Sequence, residues 1–101
     1  MKIELKKFGT TLVSRQNGRE AYLAFLPSLK AVAEDEEVSI NFADVITFSP
    51  SWGDEFLRPM AEQYGERLTL LNTDNLSVVA SLDIIERSDN LKFKREREKS
   101  R

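Results

Sequence analysis

The stretch from Val38 to Tyr64 constrains the fold most, because it joins a strand pattern to a helix pattern across a short break. Apolar residues alternate with polar or small ones from Val38 to Phe42, which is the period of a strand with one buried face. A second apolar run, residues 45–48, leads directly into Ser49-Pro50-Ser51. We therefore predict a buried strand that ends at an exposed, serine-bearing turn where a helix begins.

This turn has the chemistry of a helix start. Ser49 or Ser51 can accept hydrogen bonds from the free amides of the first turn, and Pro50 lacks an amide where none is needed. The residues that follow repeat apolar side chains at steps of four: Trp52, Phe56, Met60 and Tyr64. One such stripe predicts a helix packed on a sheet. We expect Pro59 to kink this helix and Gly65 to end it in a left-handed conformation.

The same periodicities place the remaining elements. We predict strands around residues 3–8 and at 67–71, a short strand or loop at 11–13, and an edge strand near 91–94. We also predict a helix from about Gly18 to Ala33, which Pro27 kinks or splits. A further helix should run from Leu76 to about Arg87, with its cap within residues 72–74. Strands that alternate with helices indicate an α/β fold. We expect a four- or five-stranded sheet, mainly parallel or mixed, with about three helices mainly on one face. Residues 1–90 would form the domain, and 91–101 an edge strand and charged tail.

Composition removes most enzymatic chemistry. The chain has no cysteine and no histidine, so it lacks thiol nucleophiles, thiolate metal sites and the commonest general base. The acidic run at residues 34–37 resembles a hydrated loop more than a cation cage. Asp54 and Glu55 are adjacent in a helix and point about 100° apart, so they do not form a facing acid–base pair. We predict no enzymatic activity, no metal and no cofactor.

Charge and hydropathy bound the partners and the compartment. The net charge is −2, but residues 89–101 carry six basic and three acidic side chains. A mildly basic end on an acidic body is unlike the clustered basic face of a nucleic-acid binder. The sequence has neither an apolar run of membrane-spanning length nor a signal-peptide pattern at its start. We expect a soluble, cytoplasmic protein that does not bind membranes and is not built as a nucleic-acid binder. Contact of the basic end with nucleic acid and a homodimer are left open.

The order of elements resembles the STAS family, the sulphate-transporter and anti-sigma-factor-antagonist domains, and more closely its uncharacterised STAS-like subgroup. The resemblance rests on the stretch 38–51, on Gly65–Asn72 with the helix after it, and on Arg15 followed by Asn17-Gly18-Arg19. It covers nearly the whole chain, as a pattern of strands and turns. It implies the STAS-like α/β fold and a bacterial regulatory role.

Antagonist-type members of this family bind a histidine-kinase-like ATPase, which phosphorylates a serine in an Asp-Ser-Ser-Gly turn. That turn corresponds to residues 49–52 here, with Pro50 at the position of the phosphorylated serine and Trp52 at that of the glycine. Proline cannot accept phosphate, so the usual switch is absent from its usual place. Ser51, or else Ser49, is the remaining candidate for phosphorylation, although capping of the helix explains both serines.

Two functions follow as hypotheses. The first is a regulatory module that docks a partner protein, with a histidine-kinase-like ATPase as the partner that the resemblance implies. Its docking residues would be Ser49, Ser51, Trp52, Asp54, Glu55 and Arg58. Trp52 would be a binding hot spot if it is partly exposed, or an ordinary core residue at the head of the apolar stripe if it is not. The alternative function is binding of a small ligand or nucleotide near the same turn.

Overall fold

The computed structural model describes residues 1–98, which form three helices, six short strands and two 3-10 turns. The strands are β1 (Lys2–Glu4), β2 (Thr11–Leu12), β3 (Val38–Asn41), β4 (Thr47–Phe48), β5 (Leu68–Leu71) and β6 (Lys94–Glu96). The helices are α1 (Arg15–Leu29), α2 (Pro50–Tyr64) and α3 (Leu76–Asp89), and the 3-10 turns are Leu5–Phe8 and Gly65–Arg67. The α/β class predicted from the sequence is confirmed.

The main sheet has four strands in the order β1-β3-β5-β6. Every pairing within the described residues is parallel, so of the mainly parallel and mixed sheets that the sequence left open, the parallel one is found. The strands follow one another across the sheet in chain order. Because parallel crossovers are right-handed, this order carries α1, α2 and α3 over the same face. The predicted layering of three helices on one face agrees with this topology.

The register separates a core row from polar rows. Ile3, Ile40 and Leu70 are aligned across three strands, and all three are fully buried beneath the helices. The rows on either side of them are mainly polar and include Lys2, Ser39, Thr69 and Lys94. The sheet therefore has one apolar face for the helices and one mainly polar face.

A second, two-stranded parallel sheet continues the chain beyond the ends of β1 and β3. In it β2 pairs with β4, with Thr11 opposite Thr47 and Leu12 opposite Phe48. The amide of Ser49 donates to the Leu12 carbonyl at 3.0 Å, so the pairing reaches the residue before α2. This small sheet fixes the point at which α2 starts.

Helix boundaries differ from the predictions for local reasons. α1 begins at Arg15, because Ser14 rather than a later residue accepts from the Asn17 amide, and it ends at Leu29 instead of Ala33. The resemblance segment 15–19 is thus inside the helix. α3 is capped by Asn75, one residue beyond the predicted turn, and continues to Asp89.

Neither proline inside a helix divides it. α1 is continuous through Pro27 and α2 through Pro59, so the predicted splitting of the first helix is wrong. Pro27 lies in the last turn of α1, where few helical hydrogen bonds follow it. Gly65 ends α2 with a positive φ of 54°, as predicted, although its ψ of −123° is not that of the left-handed helix.

The chain after α3 returns to the sheet. Phe93 is buried, and β6 pairs with β5 as the edge strand that the sequence predicted, shifted to Lys94–Glu96. Residues 99–101, which belong to the predicted charged tail, lie outside the described part of the chain. None of the helices described within residues 1–98 is both long and apolar enough to cross a membrane.

Candidate functional site

Ser49 is the residue on which the strand-to-helix turn depends. Its Oγ accepts from the Trp52 amide at 3.2 Å and donates to the Val13 carbonyl at 2.6 Å. One hydroxyl therefore caps α2 and ties its first turn to the end of β2. The capping interpretation of this serine is confirmed, and the second bond gives it a further structural task.

Trp52 is 1% exposed and cannot be a contact of a docking surface. Its ring stacks on Phe56 with the centroids 5.2 Å apart, and Phe8 and Phe48 pack against it. The core interpretation of this tryptophan is the one that the structure supports. Ser51, the next residue toward the helix start, is only partly buried and remains accessible.

A charged cluster lies between the start of α1 and the first turns of α2. It comprises Arg15, Asp54, Glu55 and Arg58. The Arg15 guanidinium lies 2.8 Å from Glu55 and 3.5 Å from Asp54, and Arg58 lies 3.8 Å from Asp54. The hydrogen bond with Glu55 raises the pKa of Arg15. The sequence predicted that these two carboxylates point in different directions, but the Arg15 guanidinium contacts both of them.

Asp54 also meets a second carboxyl group, Asp89, at the end of α3. A hydrogen bond with Asp54, followed by burial, raises the pKa of Asp89. Two ionised carboxylates have no donor between them, and Asp89 Oδ2 is buried without a hydrogen-bond partner among the described residues. Sequence reasoning missed this pair, because its members belong to different helices.

An exposed apolar patch borders the same turn. It comprises Ile46 and Leu76, which are 65% and 85% exposed. The Asn75 amide group donates to the Ile46 carbonyl at 3.1 Å, which places the start of α3 beside the residue before β4. Because β2 and β4 are parallel, Ile46 lies at the amino end of the small sheet, whereas the exposed Val13 follows β2 at the carboxyl end. Leu76 therefore borders Ile46 at the amino end.

Sequence reasoning missed this apolar patch. The periodicity used Leu76 to mark the start of α3 but did not show that it is exposed, whereas Val78, Leu82 and Ile85 are buried. Leu76 is the first residue of the helix, ahead of the turn that packs on the core.

A hydrogen-bonded ladder of polar side chains crosses the carboxyl ends of the four main strands. The Asn41 amide group donates to Glu4 at 3.0 Å, and that of Asn72 donates to Asn41 at 2.7 Å. Asn72 in turn accepts from the Glu98 amide at 3.0 Å. Asn41 is 5% exposed, so the ladder also satisfies a buried amide.

An open cavity of about 640 Å³ lies beside this ladder, beyond the ends of β3 and β5. Its polar lining consists of Asp44, Asn72, Asp74, Asn75, Arg97 and Glu98. Asp44 and Asn72 have positive φ angles of 70° and 58°, which are uncommon outside glycine. The carboxyl ends of parallel strands are a common place for ligands in α/β proteins.

The described residues contain no group of three or more acidic side chains placed to hold a metal ion. In the acidic run 34–37, the Glu36 carboxylate accepts from the Ala33 amide at 3.1 Å, and Arg67 donates to the carbonyl oxygens of both residues. This loop is therefore held by internal hydrogen bonds. Its structure is that of a connection between α1 and β3.

No protein-family model matches this chain, and no curated protein or solved structure matches it. The resemblance to STAS-like domains therefore stays a prediction from the sequence. What the chain does must be argued from the geometry of its own residues.

Proposed function

We propose that this protein is a non-enzymatic regulatory module that docks a partner protein on the surface around the start of α2. The observation that carries the proposal is the apolar patch of Ile46 and Leu76, which the bond from the Ser77 hydroxyl to the Phe48 carbonyl holds near the strand-to-helix turn. The charged cluster of Arg15, Asp54, Glu55 and Arg58 lies on the first turns of the helix that starts there. Single exposed apolar residues are ordinary on protein surfaces, but two that lie together beside a rigid turn suggest a contact surface.

The two parts of this surface suit different tasks in binding. Covering apolar area contributes about 25 cal/mol per Å², so Leu76 and Ile46 are the residues from which a partner would gain most. Salt-bridged charges at a rim contribute more to orientation and to the choice of partner than to affinity. In this proposal Leu76 takes the anchoring role that the sequence suggested for Trp52, while Ser51, Asp54, Glu55 and Arg58 form the polar margin.

The resemblance to anti-sigma factor antagonists suggests a histidine-kinase-like ATPase as the partner. In this proposal Ser51 is the available hydroxyl, because Ser49 is occupied by its two hydrogen bonds and Pro50 has no hydroxyl. A phosphate on Ser51 would gain from the free amides at the helix start, and Asp54 and Glu55 would oppose it.

A matched pair of substitutions on α3 tests the docking surface. Leu76→Asp places a carboxylate in the apolar patch, and the positive end of the helix tolerates it. Ile84→Asp makes the same kind of change at another exposed apolar residue of α3, eight residues or about 12 Å further along the helix. Affinity purification of wild type and both variants from the native host, followed by intact-mass measurement, would identify the partner and any phosphate.

We expect Ile84→Asp to retain the partner that wild type retains, and Leu76→Asp to lose at least about tenfold in affinity, which corresponds to about 1.4 kcal/mol. Direct titration of the identified partner against each variant measures this ratio. Equal affinities for Leu76→Asp and wild type would refute docking through the patch. Circular dichroism of both variants confirms that the fold is intact.

The cavity beside the ladder favours a second candidate function, binding of a small polar ligand. Each carboxylate of its lining is paired with a cation: Asp44 with Lys6, Asp74 with Arg97 and Glu98 with Lys2. A neutral ligand rich in hydroxyl or amide groups fits this balance better than a nucleotide phosphate does. Calorimetry with a panel of nucleotides, nucleosides and sugars tests it, and sub-millimolar binding that Asn72→Ala abolishes would support this function over docking.

A further inference from the structure

A cavity of about 410 Å³ lies where α2 ends and where β5 and β6 begin. It is at the opposite end of α2 from the docking surface, about 20 Å along the helix. Its apolar lining comprises Ala61, Leu68, Leu91 and Phe93. All four belong to the hydrophobic core or pack against it, so the packing of the fold holds these walls in place.

The path of the chain between α3 and β6 keeps this cavity open. The pairing of β6 with β5 begins only at Lys94, opposite Thr69. The amide of the preceding residue, Phe93, donates to the Glu86 carboxylate of α3 at 2.9 Å, and the Leu91 amide donates to the Glu86 carbonyl at 3.1 Å. The segment before β6 is therefore tied to α3 and does not close onto the start of β5. Pockets that bind small molecules are usually formed in this way before the ligand arrives.

Two lysines border the apolar lining. Lys92 and Lys94 are exposed, and none of the ion pairs found within residues 1–98 includes either of them. Glu66 is the one acidic residue among the described residues of the lining, and it is exposed as well. Two ammonium groups and one carboxylate leave an excess of positive charge at the rim of the cavity, which favours a negatively charged ligand.

We propose that this cavity binds a small organic anion with an apolar body, such as a medium-chain carboxylate. The apolar body lies against Ala61, Leu68 and Leu91, where each buried methylene strengthens binding about fourfold. The carboxylate lies at the exposed rim, where Lys92 and Lys94 attract it. This site is independent of the docking surface at the start of α2, and it stands whether or not a partner binds there.

The wild-type protein tests the proposal with three carboxylates of increasing length: butanoate, hexanoate and octanoate. Hexanamide, which has the chain of hexanoate without its charge, is the fourth probe. Backbone amide shifts recorded during each titration give both the affinity and the location of the ligand. We expect the shifts to concentrate at residues 61–68 and 91–94, and the affinity to rise by up to about fourfold per methylene. Hexanamide should bind about fivefold to tenfold more weakly than hexanoate, because it lacks the attraction of two exposed lysines.

Two variants separate the apolar and the charged parts of the site. Ala61→Leu places a larger side chain in the lining and should weaken the binding of all four probes. The double variant Lys92→Gln/Lys94→Gln should lower the affinity for hexanoate to that for hexanamide, and leave the affinity for hexanamide unchanged. Lys30→Gln removes another exposed lysine, at the end of α1 and outside the cavity, and should bind hexanoate as wild type does.

Three results with wild type would overturn the site: no binding of octanoate at millimolar concentration, an affinity that does not depend on chain length, or shifts centred elsewhere, such as at Ile46 and Leu76. Equal affinities for hexanoate and hexanamide would overturn the preference for an anion. Weaker hexanoate binding in Lys30→Gln, to the same extent as in the double variant, would show that net charge acts and not these two lysines. The wild-type titrations decide the proposal even if Ala61→Leu fails to fold.

Discussion

Gly18 of α1 lies directly against the backbone of Trp52 of α2. A Cβ at Gly18 would be 2.6 Å from the Trp52 carbonyl oxygen and 2.9 Å from its Cα. The two helices thus approach at a point where a single methyl group does not fit. This contact, together with the Ser49 cap, fixes the start of α2 against α1.

Gly18→Ala is expected to destabilise the fold. The added methyl meets backbone atoms that cannot rotate away, and overpacking of this kind costs about 1–3 kcal/mol. Alanine gains at most about 1 kcal/mol over glycine from helix propensity. We therefore expect a net loss in the free energy of unfolding, measured by chemical denaturation. Gln16→Ala, at an exposed position of α1, is the control, and a Gly18→Ala variant as stable as this control would contradict the close approach.

The two serines of the turn should respond differently to substitution. Ser49→Ala removes both the cap of α2 and the bond to the Val13 carbonyl, and loss of a cap costs about 0.5–2 kcal/mol. Ser51→Ala removes no cap, and we expect a change within about 0.5 kcal/mol. Thermal unfolding of both variants measures the contrast. Equal losses would show that Ser51 has a structural task as well.

Trp52→Ala is expected to lower the free energy of unfolding by about 3–5 kcal/mol, because it opens a cavity among Phe8, Phe48 and Phe56. Loss of partner binding in this variant would therefore report unfolding instead of a missing contact. Leu76→Ala, at an 85% exposed side chain, should change stability by no more than about 0.5 kcal/mol. Urea denaturation distinguishes the two, and a small effect of Trp52→Ala would place that ring outside the core.

The stability of wild type should fall over one interval of pH on account of Asp89. The hydrogen bond with Asp54, and then burial, raises the pKa of Asp89 in the folded protein above the ordinary value of about 3.9. Between these two pKa values the folded state binds more protons than the unfolded state, so this group makes the free energy of unfolding decrease as pH rises. Above the pKa of Asp89 in the folded protein, the contribution of this group to the free energy of unfolding no longer changes with pH.

The difference between Asp89→Asn and wild type isolates this effect from other titrating groups. We expect the stability of the variant relative to wild type to increase as pH rises through that interval and then to level off. Denaturant midpoints at a series of pH values measure the difference. A difference that does not vary with pH would exclude a raised pKa of Asp89, and Asp35→Asn, at an exposed loop position, should show no such variation.

Local sequence patterns predicted the scaffold of this protein well. The alternation of Val38–Asn41, the Ser49 cap and the stripe from Trp52 to Tyr64 each depend on residues close in the chain, and the structure has them as predicted. The capping residues of α1 and α3 were predicted less accurately. Ser14 and Asn75 each compete with neighbouring residues that could cap equally well, and only tertiary contacts such as Asn75 to Ile46 select between them.

The candidate site depended on contacts that no local pattern contains. Trp52 fits either a core or a surface position until the neighbours of α2 are known, and the Asp54–Asp89 contact joins residues from separate helices. The parallel pairing of β6 likewise follows from the path of the chain after α3, and not from the sequence of the strand itself. Pairings between distant segments were therefore the part that the sequence could not supply.

The ladder from Glu4 through Asn41 and Asn72 to Glu98 has a mechanical consequence. β6 has only three residues and lies at the edge of the sheet, where a short strand would ordinarily peel away first. Because side-chain bonds link its end to the ends of β5, β3 and β1, a pulling force on the chain beyond β6 is shared by all four strands. We expect the four strands to separate together. The force needed should be higher than the force that detaches a strand held by three residues of backbone pairing alone.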